Sequence, residues 1–145
     1  GHHPALARSA ALAAEGVPVV VDAGSHKPVF DDILAFTTDV ICSADYVHPD
    51  WLGARALLLR GPKLVAVSHG GQALHWWTAA ASGTIEPEAV AAVDTTGAGD
   101  VLHGAYCHAL ASGLDREEAL RSAVAVATER VRHLGPFAWR AAIAR

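Results

Sequence analysis

The residues best suited to chemistry lie in one short run, Val93-Asp94-Thr95-Thr96-Gly97-Ala98-Gly99-Asp100. It follows a stretch expected as a strand and opens a stretch expected as a long helix. Gly97 and Gly99 permit close approach and backbone angles closed to other residues. Successive N–H groups at the helix start, together with the helix dipole, would make an anion site. Its natural guest is a phosphate, or the charge that develops on a transferring phosphoryl group. Asp100 falls in the first helical turn, where a carboxylate can take the proton of an attacking hydroxyl. Asp94, at the strand end, is spaced to bind Mg2+ directly or through water. A plainer reading stays open: a glycine-rich turn with acidic caps and no chemistry. A G-x-x-x-x-G-K-[ST] loop is absent, and Leu102 stands where G-x-G-x-x-G needs its third glycine.

The flanking sequence supplies the elements that must hold this run. Leu6–Ala14 is alanine-rich and predicts a helix closed by Gly16. Val17-Pro18-Val19-Val20-Val21 is apolar on both faces, as a central parallel strand is. A loop from Asp22 to Pro28 leads to a short helical stretch ending near Phe36, then to a strand over Asp39–Cys42. A helix is predicted over Asp50–Leu59 and strands over Leu64–Val67, Ala73–Trp77 and Val90–Val93, the second of these antiparallel to its neighbour. The remainder is helical: a helix from Gly97 or Ala98 to Ser112, and another from Arg116 to about Arg132. Asp115 and Glu118 form a capping box for the latter, and Gly135-Pro136 stops it. The tail from Phe137 adds a short helix. Helices alternating with strands predict one α/β layered domain over residues 1–145. The first helix reads as the crossover of a βαβ unit whose first strand is missing, so the chain is expected to be the later part of a longer protein. The open edge so left would be prone to pairing.

Composition narrows the function classes. The 145 residues are 52% hydrophobic and 18% charged, enough for a real core and too apolar for a disordered tail. A net charge of −4 argues against a broad nucleic-acid surface. No apolar stretch is long enough for a membrane span, and the chain does not open with a signal-peptide pattern. Cys42 and Cys107 match no metal-ligand spacing and are read as reduced thiols, which suits a cytoplasmic protein. The nine histidines form no ligand cluster. His69, beside a strand end, reads as a loop histidine that could line a site, and His2-His3 as a chain end. Trp76 and Trp77 point to opposite faces of a strand, so only one can face a ligand. Trp51 and Trp139 read as packing residues.

Asp94-Thr95-Thr96-Gly97-Ala98-Gly99-Asp100 resembles the D-T-x-G-A-G-D signature of the ribokinase/PfkB family of carbohydrate kinases. The two helices that follow resemble the family's closing pair. The resemblance covers the chain but only the later half of the family's fold. It implies a three-layer α/β fold with a mostly parallel sheet flanked by helices, here lacking the N-terminal half and lid. It also implies ATP-dependent phosphorylation of a sugar hydroxyl, with Mg2+. Asp100 would be the catalytic base, the backbone of Gly97, Ala98 and Gly99 the anion hole, and Asp94 and Thr96 organisers of the Mg2+–triphosphate region.

Further matches are looser. Val67-Ser68-His69-Gly70 resembles the first half of the family's T-x-G-x-x-G loop, with Ser68 and Gly70 in place and Ala73 where the second glycine is usual. Cys42–Tyr46 stands where the family has N-x-x-E, so Ser43 and Tyr46 replace the Asn and Glu, with Asp45 as a substitute carboxylate. Lys27 could reach a phosphate as a point charge or be a solvated lysine. Adenine would lie between the loop after Gly70 and the last long helix, where Ala123 and Ala127 are small. Three functions compete: a sugar kinase, a catalytically weak or inactive nucleotide-binding relic of the same fold, and an interaction domain. The expected partners are a small sugar, the missing half of the chain, and a second copy through the missing lid, with neither nucleic acid nor membrane.

Overall fold

In a computed structural model of the protein, residues 4–47 and 53–144 are described. His2, His3, His48, Trp51 and the start of the helix expected at Asp50 lie outside them. The chain divides into two compact units. The first comprises residues 1–69 and 74–84, the second residues 70–73 and 85–145.

The first unit is built on a five-stranded sheet whose spatial order follows the chain. Helix α1 (Pro4–Ala14) precedes strand β1 (Val20–Ala23). Helix α2 (Val29–Leu34) leads to β2 (Asp39–Ser43), and a 3-10 helix (Ala54–Arg60) leads to β3 (Leu64–His69). Strands β4 (Gln72–Thr78) and β5 (Ser82–Ile85) complete the sheet. β1 pairs parallel with β2, and β2 parallel with β3. The links from β3 to β4 and from β4 to β5 are two and three residues long, too short for anything but antiparallel neighbours. The sheet is therefore mixed, which corrects the mostly parallel sheet expected from sequence. Among the described residues β1 is also not central: it stands at one edge of the sheet, beside β2.

β2 and β3 are buried on both faces, as their β-branched runs require. On one face Val40, Cys42, Val65 and Val67 pack with Phe30 and Leu34 of α2, Leu57 of the 3-10 helix, and Tyr46. Gly61 ends the 3-10 helix at φ +135° and lies against α2. A Cβ there would sit 2.6 Å from the Leu34 carbonyl oxygen, so glycine is required on two counts. The two tryptophans separate as expected. Trp76 is buried with its indole over Gly83, while Trp77 packs partly buried against the core and stacks on His75.

The second unit is a helical pair. Helix α3 (Ala98–Ala111) packs on α4 (Arg116–Val131), and a short α5 (Arg140–Ile143) follows. The capping box is present: the Asp115 carboxylate accepts from the Glu118 N–H at 2.9 Å, and the Glu118 carboxylate accepts from the Asp115 N–H. The strand expected over Val90–Val93 does not form. Instead the N–H groups of Val93 and Asp94 donate to the Val131 carbonyl at the end of α4. A helix terminus with unpaired carbonyls takes the donors that a strand would have offered a neighbour. Among the described residues no helix is long and apolar enough to cross a membrane.

Candidate functional site

The turn predicted at Gly97 forms where the sequence places it. Gly97 is the N-cap of α3 and adopts the left-handed conformation at φ +73°. That angle turns the chain sharply from the 94–96 loop into the helix. The helix proper begins with the Val101 N–H donating to the Gly97 carbonyl at 3.0 Å. The N–H groups of Gly99 and Asp100, in the first turn, have no intrahelical acceptor and lie on an exposed surface. Ala98 differs from expectation: its N–H donates to the Thr95 carbonyl at 3.1 Å, so in this conformation it closes the turn. Asp100 is exposed, with its carboxylate over the turn: Oδ2 lies 3.7 Å from where a Gly97 Cβ would be.

Asp94 lies beneath the turn and is fully engaged. Oδ1 accepts from the Thr96 N–H at 2.9 Å. Oδ2 accepts from Arg130 Nη2 and from the Gly135 N–H, each at 3.0 Å. The Thr96 N–H, the Arg130 guanidinium and the Gly135 N–H together hold the Asp94 carboxyl well below the usual carboxylate range.

Arg130 is a functional candidate that sequence reasoning missed. Its residue is 1% exposed. Besides Asp94 Oδ2, its guanidinium donates to the carbonyls of Thr96 (2.7 Å), His133 (2.8 Å) and Asp94 (3.2 Å). A signal was present: position 130 continues the buried stripe of Ala123 and Ala127, and a charge on such a stripe needs a buried partner.

Beside the turn lies a groove of about 530 Å³ within the second unit. Thr96, Asp100, His108, Ser122, Arg130 and Arg140 are among its polar lining, and Val101, Ala105, Val126, Phe137 and Ile143 among its apolar residues. The Arg140 guanidinium covers the Phe137 ring at 4.5 Å. Ala127 is half-buried on α4 and does not line the groove, although Val126 does.

The first unit carries the looser motif matches. Parallel register sets Ser43 and Ser68 side by side at the carboxyl ends of β2 and β3, where open α/β sheets commonly bind ligands. Ser43 Oγ donates to the Gly24 carbonyl and Ser68 Oγ to the Cys42 carbonyl, both at 3.4 Å. A cavity of about 340 Å³ there is lined by Cys42, Ser43, Tyr46, His69, His75 and Trp77, among others. Burial, with the Asp22 charge adding to it, pushes the Cys42 thiol up to about 12. Burial also pushes Tyr46 up to about 12, with smaller effects of Cys42 and Asp31. Tyr46 is buried where a glutamate was expected to serve the metal, and Asp45 is exposed. Lys27 lies exposed in the loop after β1, and Gly70 in the turn between β3 and β4.

For Mg2+, no group of three His, Cys, Asp or Glu side chains is gathered among the described residues. Asp94 already carries its own cation in Arg130. The donor set fits an ion held mainly by phosphates and water, which Mg2+ commonly accepts.

The sequence profile of the pfkB family carbohydrate kinases matches residues 50–138, more than half of the chain. Among curated proteins, the ribokinase of Bacillus subtilis (strain 168) is 30% identical over 110 residues. That stretch is 74% of this chain and 37% of the ribokinase. Among solved structures, the ribokinase of Thermotoga maritima is 26% identical with a TM-score of 0.77, over 86% of this chain and 46% of that one. The Arabidopsis thaliana ribokinase complexed with ribose and ATP is 24% identical with a TM-score of 0.78, over 92% and 47%. The chain thus spans about half the length of these structures or less. It has the α/β ribokinase-like fold with a mixed sheet and flanking helices, and it belongs to the pfkB family of carbohydrate kinases.

Proposed function

We propose that the chain carries the nucleotide-phosphate side of a ribokinase-like, ATP-dependent carbohydrate kinase. On its own it is a nucleotide-binding unit with weak or no transfer to sugar. One observation carries the reading: the left-handed Gly97 turn opens α3 with exposed N–H groups at Gly99 and Asp100, and the Asp100 carboxylate lies beside them. An anion at the turn would meet the helix dipole and these donors. Asp100 would accept the proton of the attacking hydroxyl when a sugar is supplied. The apolar groove beside the turn has the size and lining of a small-molecule site. ATP supplies the transferred phosphoryl group, and Mg2+ bound to its phosphates would neutralise the charge that develops on it. Asp94 would act on this region from beneath, through Thr96, rather than as a free metal ligand. Ser43, Ser68, Gly70 and Lys27 are proposed nucleotide contacts, and Ala127 a small residue near the adenine.

The weak-transfer reading is favoured by the strand ends of the first unit. The family's Asn and Glu are replaced by Ser43, whose hydroxyl faces Gly24, and by the buried Tyr46. Neither brings a carboxylate to the phosphates.

Calorimetric titration with Mg-ATP, paired with a sugar-dependent ADP-release assay, tests both parts. Binding with little sugar-dependent turnover is expected. Wherever turnover is measurable, Asp100→Asn should lower it about 10³-fold while ATP affinity stays within about threefold. No binding of Mg-ATP would refute the nucleotide reading. Full activity in Asp100→Asn would refute the base.

A further inference from the structure

The Arg130 guanidinium ties together stretches of chain that are otherwise held by few bonds. Residues 94–96 form an irregular loop, and residues 133–135 follow the end of α4. Backbone bonds from Val93 and Asp94 to the Val131 carbonyl join them at one point. Every other recorded bond between the loop and the end of α4 passes through the Asp94 carboxylate or the Arg130 guanidinium.

The bonds are specific in direction. Arg130 Nη2 is shared between Asp94 Oδ2 and the Thr96 carbonyl, and Nη1 between the Asp94 and His133 carbonyls. Thr96 is held from both sides: its N–H by Asp94 Oδ1 and its carbonyl by Arg130. Thr96 is also the residue before the left-handed Gly97. Fixing both of its peptide groups fixes the direction from which the chain enters the turn. A guanidinium can do this because its planar fork presents several donors at set angles; an ammonium is a point charge.

We propose that Arg130 is a positioning residue for phosphate binding, acting through Asp94 and Thr96 to hold the Gly97 turn in the shape that receives an anion. The inference rests on the nucleotide reading of the site, and its test has one arm that needs no nucleotide.

Two variants serve, Arg130→Lys and Arg130→Met. The first keeps a cation and is the milder change; the second keeps the length and removes the charge. Amide hydrogen exchange without ligand is read at residues 94–99 and, as an internal reference, at Ala109 and Leu120 in the helices. Mg-ATP affinity is measured by calorimetry. In Arg130→Lys, exchange at Thr96 and Ala98, whose N–H groups are bonded, should quicken at least about tenfold relative to the reference amides. ATP affinity should fall about tenfold, with circular dichroism unchanged. In Arg130→Met both losses should be larger, so that lysine rescues part of what methionine loses. Unchanged exchange at Thr96 and Ala98 in Arg130→Lys would overturn the proposal. So would ATP affinity within twofold of the parent in either folded variant. If the parent protein binds no Mg-ATP, the nucleotide reading fails by itself, and the exchange arm still decides whether Arg130 holds the turn.

Discussion

The two units handle the same expected ligand chemistry in different ways. In the second, the anion turn is made of backbone, and its shape is set by a buried ion pair, Arg130–Asp94. In the first, the strand ends offer side chains: two serines bonded to neighbouring carbonyls, a high-pKa thiol and phenol, two imidazoles and an indole. Backbone donors at a helix start suit any phosphate, because the helix supplies charge and direction at once. Side chains at strand ends must be the right ones, and here two expected positions have changed.

That contrast can be broken most forcefully through stability. Gly61→Ala places a Cβ against the Leu34 carbonyl at a left-handed φ. It should destabilise the first unit by about 3 kcal/mol, read by urea unfolding. Mg-ATP affinity of the folded protein should stay within about twofold. A tenfold loss would mean that phosphate binding depends on the first unit as much as on the second.

Acid should act more mildly and on the other unit. Asp94 has a folded-state pKa below its ordinary value of about 3.9. Its stabilising effect is therefore complete above about pH 4 and is lost as pH falls from there toward the folded-state value. Thermal unfolding between pH 5 and pH 2.5, values about the ordinary carboxylate range, should show a falling midpoint that Asp94→Asn flattens. An unchanged slope in that variant would remove Asp94 as the ionic partner that matters.

The smallest effect is expected at Ser43. Its hydroxyl makes a long bond, at 3.4 Å to the Gly24 carbonyl. Ser43→Ala should change stability by under about 0.5 kcal/mol and ATP affinity by less than about twofold. A tenfold loss of affinity would show that the strand-end serine carries as much of the nucleotide binding as the Gly97 turn does, and would close the gap between the two units.

The parts legible in the sequence were those with local causes. α3 and α4 could be placed to within a residue or two. Their starts are marked by Gly97 and by the Asp115–Glu118 capping box, and Gly113 follows the end of α3. The left-handed turn at Gly97 was legible for the same reason, since glycine spacing is a local signal. β5 was missed because Ser82-Gly83-Thr84 has no apolar alternation; Gly83 instead accommodates the Trp76 indole. The strand at 90–93 was over-read from its two valines, because the competing acceptor, Val131, is far along the chain. Arg130 was missed on the same ground. Its partner carboxylate lies 36 residues away, and the helix face it shares with Ala123 and Ala127 marks the position without naming that partner.

That separation has a consequence for how the site comes into being. Contacts 34 and 36 residues apart require the intervening chain to be in place first. The seven-residue motif leaves the ribosome well before Arg130 does, and until then it is a sequence without its shape. α3 and α4 must dock before the turn is set. A truncation that stops short of Arg130 would keep every residue of the motif and still lack the means of arranging them.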